Sequence, residues 1–377
     1  MEKRILIDAT NVNISLPGGG SFCTKAYIEA LLTLYPNRVD ILHPDNARIR
    51  DPRYRTIDVP GRTRWQALKG ALYGQFHRAG KFLIDYLESH ATEYQYVLIS
   101  TGLYAGSLIP ELHRLNVQVI VLHHNFEPEY RLASQSPLTL FGRTDRIVRY
   151  WERKGYKGAD INLFLTSQDK TLLETQYGDH PHNYVTGVFE PTSERQTLDT
   201  EQITESAVIT CALSDQQNEK PLIQFYQTYL PLFHSTLPDW TIQIMGRKPL
   251  PSIQAMHDGK VVFVTPDPDD IRLLAAKSAI YLCPMDAGGG LKLRIMDGLR
   301  AGQPVLTHIR AARGYDDFVG QPFFLTYSNP ESFVDALKAI VRYIHSAEFG
   351  RDKIQTQYYN HFGLESGVMK LKMALCK

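Results

Sequence analysis

The feature that most constrains the fold of this chain is a regular alternation of short apolar runs, rich in β-branched residues, with stretches of helical character. In the first half, these runs predict strands at Arg4–Asp8, Val39–His43, Thr56–Val59, Tyr96–Ser100, Val117–His123 and Ile161–Thr166. In the second half, they predict strands at Ala207–Ala212, Thr241–Met245, Val261–Val264, Ala279–Cys283, Pro304–Thr307 and Phe323–Leu325. Because strands that alternate with helices build βαβ units, the pattern predicts an α/β protein with a doubly wound parallel sheet in each half.

The length of the chain predicts two domains, since its 377 residues exceed the roughly 250–300 residues at which one hydrophobic core stops growing. Between Val185 and Glu205 the chain has the aperiodic, Gly-, Pro- and Ser-containing composition of an interdomain linker. We therefore expect domains over residues 1–190 and 191–360, and a tail over 361–377 for which packing against the first domain is one option. Ligands of such sheets bind at the carboxyl ends of the strands, so function is expected in a cleft between the domains.

Composition excludes several other classes of protein. The 41 basic and 40 acidic residues leave almost no net charge, which argues against a protein that coats nucleic acid. The four cysteines form no CxxC pair, so neither a zinc site nor a redox dithiol is expected. The first residues lack the apolar core of a secretory signal, and no run reaches the ~18 apolar residues of a membrane span. We expect a cytoplasmic protein, with contact to the inner face of the cytoplasmic membrane left open.

Three glycines, Gly18 to Gly20, follow the first predicted strand and precede a helix predicted to begin near Thr24. Glycines ahead of a helix let backbone N–H groups approach an anion closely. The spacing fits neither the dinucleotide fingerprint nor the P-loop, so a plain flexible turn explains it equally well. On the ligand-binding interpretation, Gly19 and Gly20 lie on the acceptor side of the site.

A cluster of polar residues follows the strand that ends at His123. His124, Asn125 and Glu127 come directly after a run of residues expected to be buried. A lone histidine here would be explained as a hydrogen-bonded loop residue. The four polar side chains of His123, His124, Asn125 and Glu127 at one strand end favour a ligand site instead.

The strongest signal is the segment from Tyr281 to Leu306. A strand ends, a glycine triplet follows, and a helix predicted to begin near Leu291 carries Lys292 and Arg294 in its first turns. Cations at a helix N-terminus oppose the helix dipole, so their placement favours a bound anion such as a diphosphate. Asp297 is placed to accept hydrogen bonds from ribose hydroxyls. The alternative is a simple turn followed by a solvated helix residue.

This segment resembles the donor-binding signature of retaining GT-B glycosyltransferases of the large bacterial "glycosyl transferases group 1" (family 4-like) type. The matching positions are Pro284, Gly288, Gly289, Gly290, Lys292, Arg294, Asp297, Gly298, Gly302, Pro304 and Val305. The segment His124–Glu127 is similar to the family's His-Asn-x-Glu, and the passage from Trp151 to Asp169 also resembles it. The stretch Cys211–Lys220 resembles the first donor-domain loop, with Lys220 kept and Leu213 where an arginine is expected.

The resemblance implies a GT-B fold and transfer of a sugar from a nucleotide-diphosphate donor, UDP or GDP, with retention of configuration and without a cofactor or metal. The implied catalytic residues are His124, Lys220, Lys292 and Arg294. The implied donor-binding residues are Gly288, Gly289, Gly290, Leu291, Asp297, Asp286 and Arg247, and the implied acceptor-side residues are Gly19, Gly20, Asn125 and Glu127. The sequence Asp267-Pro-Asp-Asp270 is interpreted as a helix cap and not as a metal motif.

Besides Leu213, the chain departs from the family pattern at two positions, where Gly289 replaces the first of two glutamates and Asp297 replaces the second. Besides a glycosyltransferase of bacterial surface polysaccharide synthesis, two alternatives stay open. One is a nucleotide-sugar 2-epimerase, and the other is a degenerate partner subunit without turnover.

The acceptor is expected to be a glycan or a lipid-linked glycan. From Arg48 to Lys81 the chain has nine basic and two acidic residues, a net charge of +7, interleaved with aromatic and leucine residues. Such a segment either lies on an anionic membrane or forms an ordinary solvated face over a core stripe.

Overall fold

A computed structural model describes residues 3–12, 14, 18–44, 51–60, 77, 79–133, 143–195, 203–286 and 289–376. The chain divides into two compact units. The first comprises residues 1–193 together with 362–377, and the second comprises residues 194–361. Gly288 and most of the basic segment 48–81, including its aromatic residues from Trp65 to Phe76, lie outside the described residues.

The first unit contains a parallel sheet of seven strands. They are β1 (Arg4–Asp8), β2 (Val39–Pro44), β3 (Arg55–Val59), β4 (Tyr94–Ser100), β5 (Gln118–His123), β6 (Ile161–Phe164) and β7 (Asn183–Val185), in the order β3-β2-β1-β4-β5-β6-β7. Its described helices are α1 (Gly19–Leu34), α2 (Gly80–His90), α3 (Gly102–Ala105), α4 (Ile109–Arg114), α5 (Glu127–Ala133), α6 (Arg143–Gly158), α7 (Ser167–Tyr177) and α15 (Leu364–Leu375), with a 3₁₀ turn at Ala91–Glu93.

The second unit contains a parallel sheet of six strands. They are β8 (Thr204–Thr210), β9 (Thr241–Gly246), β10 (Val262–Pro266), β11 (Ser278–Cys283), β12 (Val305–His308) and β13 (Phe324–Tyr327), in the order β10-β9-β8-β11-β12-β13. Its described helices are α8 (Gln216–Gln224), α9 (Leu230–Thr236), α10 (Pro251–Gln254), α11 (Ile271–Ala276), α12 (Leu293–Arg300), α13 (Pro330–Ile344) and α14 (Arg351–Phe362). A π-helical turn at Phe225–Tyr229 joins α8 to α9, and a 3₁₀ turn spans Ile309–Ala312.

The predicted fold class is confirmed, and each of the twelve predicted strands is present. In both sheets the first strand lies in the middle, and the next two strands are added on one side of it and the later strands on the other. The strand order therefore reverses between β1 and β4 and between β8 and β11. These reversals are the positions at which doubly wound sheets bind ligands. The short edge strand β7 was missed, because three residues carry too little periodicity to predict a strand.

The start of α1 was wrongly placed near Thr24. The helix begins at Gly19, so Gly19 and Gly20 form its first turn instead of a preceding loop. Glycine has low helix propensity, but Ser21, Cys23 and Thr24 are buried against the unit, and tertiary packing overrides the local preference. The predicted cap at Asp270 is confirmed, since its carboxylate accepts hydrogen bonds from the N–H groups of Arg272 and Leu273.

Helix α15 packs on α1 within the first unit. The hydroxyl of Tyr27 lies 2.5 Å from the Thr186 hydroxyl and donates to the Gly187 carbonyl at 2.9 Å. Gly367 of α15 lies so close to the Phe189 ring that an added Cβ would be 2.3 Å from it. The close contact requires glycine at this position.

A buried carboxylate lies at the amino ends of four strands in the first sheet. Asp40 of β2 is fully buried and accepts hydrogen bonds from Arg4 Nε at 2.9 Å, Arg55 Nη2 at 2.8 Å and Tyr94 Oη at 2.6 Å. Burial alone would raise the pKa of Asp40, but the hydrogen bonds from Arg4 and Tyr94 hold it below its usual value. This group connects β1, β2, β3 and β4 at the amino ends of the strands, opposite the edge formed by their carboxyl ends.

Candidate functional site

The predicted donor-site residues of the second unit lie beyond the carboxyl ends of its strands. Lys220 is exposed on α8, which follows β8, and Arg247 is exposed directly after β9. Asp286, Gly289 and Gly290 follow β11 and lead into α12. Parallel strands bring these residues to one edge of the sheet.

The N-terminus of α12 combines a glycine turn with two basic residues. The helix begins at Leu293, so Lys292 is its N-cap residue and Leu291 precedes it. No side chain of the described residues caps this end, and the first turn contains no acidic residue. Gly290 has a φ of +69°, a conformation that favours glycine, and the Tyr315 hydroxyl fixes the Lys292 carbonyl at 2.9 Å. The positive end of the helix dipole is therefore reinforced by Lys292 and Arg294.

Asp297 lies between two guanidinium groups. Arg294 donates to it at 3.3 Å and Arg300 at 2.8 Å. Arg300 is buried and lies over the Tyr358 ring, whereas the Arg294 side chain is half exposed. Burial alone would lower the pKa of Arg294, but the Asp297 charge raises it overall. A carboxylate has about four lone-pair positions, so Asp297 can still accept further hydrogen bonds.

Gly298 packs so closely on Tyr281 that no side chain fits at this position. An added Cβ would lie 2.5 Å from Cγ of Tyr281, whose hydroxyl is 2.6 Å from the hydroxyl of Thr210. This contact packs α12 against β11 and links β11 to β8. The contact therefore holds α12 beside β8 and β11, the two strands between which the strand order reverses.

Leu213 occupies the position where the family pattern has an arginine. Its side chain is fully buried, and an added Cβ on Gly246 would lie 2.8 Å from its Cγ. The loop after β8 therefore turns this side chain into the interior and presents no cation there. Lys220, by contrast, is exposed.

Two further polar side chains of this edge, His308 and Arg310, were missed in the sequence. His308 ends β12 and Arg310 follows it, and Arg310 Nη1 lies 3.5 Å from the carbonyl oxygen of Asp286. The available signal was their position after the predicted strand Pro304–Thr307. Burial lowers the pKa of His308 below its usual value, so only Arg310 of these two adds positive charge around the loop that follows β11.

In the first unit, the two adjacent histidines have different environments. His123 is buried, stacks on Phe164 and donates from Nε2 to Asn162 Oδ1 at 2.8 Å. His124 is half buried, and its Nε2 is buried without a hydrogen-bond partner among the described residues. His123 Nδ1 likewise has none there. Burial lowers the pKa of both imidazoles to about 4, so both are neutral at neutral pH. The two histidines differ in that His123 is fixed by its stacking and its bond to Asn162, whereas His124 is the more exposed of the two.

The loop after His124 is held by two buried carboxylates. Asp169 accepts the N–H of Phe126 at 3.2 Å, and Glu152 accepts the N–H of Glu127 at 2.9 Å. These bonds satisfy N–H groups at the start of α5. Asn125 in turn donates to Glu127 at 3.2 Å. The predicted group His124, Asn125 and Glu127 is thus positioned by residues of α6 and α7.

Glu152 makes a testable contribution to stability. Burial raises the pKa of Glu152 to about 8, despite hydrogen bonds from the Glu127 N–H and the Tyr177 hydroxyl. Its native pKa is above the unfolded value, so the contribution of Glu152 to stability should fall as the pH rises from about 4.5 to about 8, by at most about 1.4 kcal/mol per pH unit. Glu152→Gln should remove this dependence in chemical denaturation measured across that range. Parallel curves for the wild type and the variant would contradict the assignment.

A second polar cluster lies at the end of β1, beside which the strand order of the first sheet reverses. Asp8 and His77 are both buried, with His77 Nε2 2.6 Å from Asp8 Oδ2. The N–H of Ala79 donates to His77 Nδ1 at 3.1 Å, so Nε2 carries the proton that Asp8 accepts. Burial alone would raise the pKa of Asp8, but His77 and Thr10 hold it below its usual value.

Unpartnered polar groups accompany this pair. Asn11 Nδ2 and Thr101 Oγ1 are buried and have no hydrogen-bond partner in the part of the chain that the structure describes. Thr101 follows β4 and has a φ of +69°, which is a strained conformation for a β-branched residue. Buried polar groups without partners are uncommon in folded proteins, so these atoms are available to ligand hydroxyls. His77 could not be found from the sequence, because 69 residues separate it from Asp8.

No group of three or more potential metal ligands occurs among the residues that the structure describes. Within the same residues, no helix is both long and apolar enough to span a bilayer. The metal independence implied by the family resemblance remains a prediction.

The comparisons with known proteins bear on the fold. No family model and no curated protein matches the chain. Among solved structures, sucrose-phosphate synthase from Thermosynechococcus elongatus matches with a TM-score of 0.70 and 13% identity, over 99% of this chain and 98% of that one. HepE from Anabaena in complex with UDP-glucose matches with a TM-score of 0.65 and 11% identity, over 100% of both chains.

A third match is the lipopolysaccharide outer core galactosyltransferase WaaB, with a TM-score of 0.66 and 11% identity, over 100% of this chain and 99% of that one. At such identities the likeness concerns the fold and not the activity. The matches extend over both parallel sheets. The chain has the GT-B fold.

Proposed function

We propose that this protein is a glycosyltransferase that moves a sugar from a nucleotide-diphosphate donor to a glycan or lipid-linked acceptor. The observation that carries the proposal is the N-terminus of α12, which no described side chain caps and which carries Lys292 and Arg294. It follows β11, beside which the strand order of the second sheet reverses. A diphosphate would be attracted by both cations and by the helix dipole. The neighbouring structure of HepE holds UDP-glucose, which supports UDP as the first donor base to test.

The proposed chemistry is electrostatic. As the bond between sugar and diphosphate breaks, negative charge grows on the leaving phosphate. Lys220, Lys292, Arg294 and the N–H groups of α12 would stabilise that charge. In a retaining reaction the acceptor hydroxyl enters on the face from which the diphosphate leaves, and the leaving phosphate takes its proton. This route needs neither a metal nor a cofactor.

The first unit is proposed to bind the acceptor. His124 has a buried, unpartnered Nε2 and a neutral ring, so it can hydrogen-bond a sugar hydroxyl without carrying charge. Asn11 and Thr101 provide further unpartnered polar groups in the same unit. Gly19 and Gly20 contribute N–H groups from the first turn of α1, which no side chain caps.

The proposal also includes a role in bacterial surface polysaccharide synthesis, at the inner face of the cytoplasmic membrane. WaaB, a galactosyltransferase of the lipopolysaccharide outer core, supports this context by its similar fold. The alternatives of a nucleotide-sugar 2-epimerase and of a degenerate partner subunit are not favoured by the named neighbours.

Thermal-shift titration with UDP, GDP, ADP, dTDP and CMP tests the proposal first. A ligand that binds only the folded protein raises its melting temperature, by an amount that corresponds to about 2.7 kcal/mol at a hundredfold excess over Kd. One responding diphosphate would identify the donor class, whose sugars are then screened for transfer. The absence of any shift would overturn the enzyme assignment and favour the degenerate partner subunit.

Asp297→Asn is expected to weaken binding of the responding nucleotide by about tenfold, since a ribose hydroxyl would lose a charged acceptor worth about 1.5 kcal/mol. Asparagine is preferred to alanine because its oxygen can still accept from buried Arg300. Isothermal titration gives the Kd, and the melting temperature without ligand controls for folding. Wild-type affinity in the variant would remove Asp297 from the donor site.

A further inference from the structure

The outward side of α6 has an unusual composition. Five of its exposed residues are Arg146, Ile147, Tyr150, Arg153 and Lys154, which we call the basic-aromatic face. Their spacing of three and four residues places them on one side of the helix. The exposed fractions of Ile147 and Tyr150 are 44% and 51%, which are high for residues of this size.

The acidic residues of α6 do not neutralise this face. Asp145 accepts a hydrogen bond from Arg149 at 2.8 Å, and Glu152 is buried beneath the helix. Within the described part of the chain, Arg146 and Arg153 have no carboxylate partner, and Lys154 Nζ lies 4.8 Å from the Tyr150 ring centroid. The face therefore carries three cations around two exposed apolar side chains.

The opposite side of α6 is closely packed, so the exposed face is not an incompletely buried core. An added Cβ on Gly155 would lie 2.0 Å from the Gly102 carbonyl oxygen, and one on Gly106 would lie 2.2 Å from that of Trp151. These contacts fix α6 against α3 and the residues that follow it. The basic-aromatic face is thus presented by a firmly held helix.

We propose that the basic-aromatic face binds the surface of a membrane that contains anionic phospholipids. Each lysine or arginine near such a surface strengthens binding by about fivefold, through attraction to the headgroups. Tyrosine and an aliphatic residue beside the cations are typical of interfacial helices, because they enter the boundary between headgroups and acyl chains. The inference concerns residues other than the basic segment 48–81, and it does not depend on the proposed glycosyltransferase activity.

Co-sedimentation of the full chain with vesicles tests the inference. We expect the protein to bind vesicles of phosphatidylcholine mixed with phosphatidylglycerol, and not vesicles of phosphatidylcholine alone. The variant Arg146→Gln/Arg153→Gln/Lys154→Gln should lose about 100-fold in partition coefficient. The control Lys260→Gln/Lys338→Gln/Arg342→Gln removes the same charge from exposed positions of the second unit and should bind like the wild type.

A second variant separates insertion from simple attraction. Ile147→Ser/Tyr150→Ser keeps every charge and should weaken binding by about tenfold, since it removes the apolar side chains. Equal binding by the triple variant and its control, or no binding of the wild type to anionic vesicles, would overturn the proposal. Nucleotide thermal shifts of the triple variant should match the wild type, which distinguishes a failure here from a failure of the proposed function.

Discussion

Lys292→Ala is expected to lower turnover by about 10²- to 10³-fold and to weaken binding of the nucleoside diphosphate, because it removes a cation from the charge that develops on the leaving group. Lys292 is the N-cap residue of α12, and the first turn of this helix contains no acidic side chain that would repel a phosphate. Steady-state kinetics with the donor sugar, together with the Kd of the free diphosphate, measure both effects.

The matched control is Lys277→Ala. Lys277 is exposed directly before β11, at the opposite end of the strand that leads to the glycine loop, so its replacement should leave kcat and Kd unchanged. Lys292→Arg retains the charge and should fall between the wild type and the alanine variant. A Kd in Lys292→Ala equal to that of the wild type would mean that the diphosphate does not bind at α12.

Asp40→Ala is expected to lower the free energy of unfolding by about 3 kcal/mol, because removing one partner of a buried ionic network leaves its other members unsatisfied. The fully buried Tyr94 hydroxyl loses its acceptor, and Arg4 and Arg55 lose their shared carboxylate. Urea denaturation at neutral pH measures the change. Donor binding should be unaffected, since this network lies at the amino edge of the sheet.

Glu88→Ala is the matched control for Asp40→Ala. Its ion pair with Arg114 is exposed on both sides, so the expected change is within about 0.5 kcal/mol. Because the native pKa of Asp40 is lowered, its stabilisation is present above pH 3.8, the reference value, and is lost as the pH falls through the native pKa. A destabilisation equal to that of Glu88→Ala would show that the buried network contributes little.

The fold could be predicted from the sequence because its determinants are local and periodic. Each buried strand is a short apolar run, and each run directly follows or precedes a helical pattern. The proposed donor segment could also be identified in the sequence, since the glycine loop, Lys292, Arg294 and Asp297 lie within one strand–turn–helix unit. Local propensity failed at Gly19, where packing of the following residues extends α1 into the glycines.

Several features of the candidate sites were decided only by the tertiary structure. Asp8 pairs with His77, which is 69 residues away, and the N–H of Glu127 finds Glu152, which is 25 residues away. Asp297 is shared between two arginines, and Leu213 turns into the interior against Gly246. Apolar periodicity predicted the fold class and located the strands, because short apolar runs mark buried strands. It did not fix every strand end, since β6 ends at Phe164 and β8 at Thr210, two residues before the predicted ends. The partners of buried polar groups depend on which distant segments the sheet brings together, and that information appears only when the chain has folded.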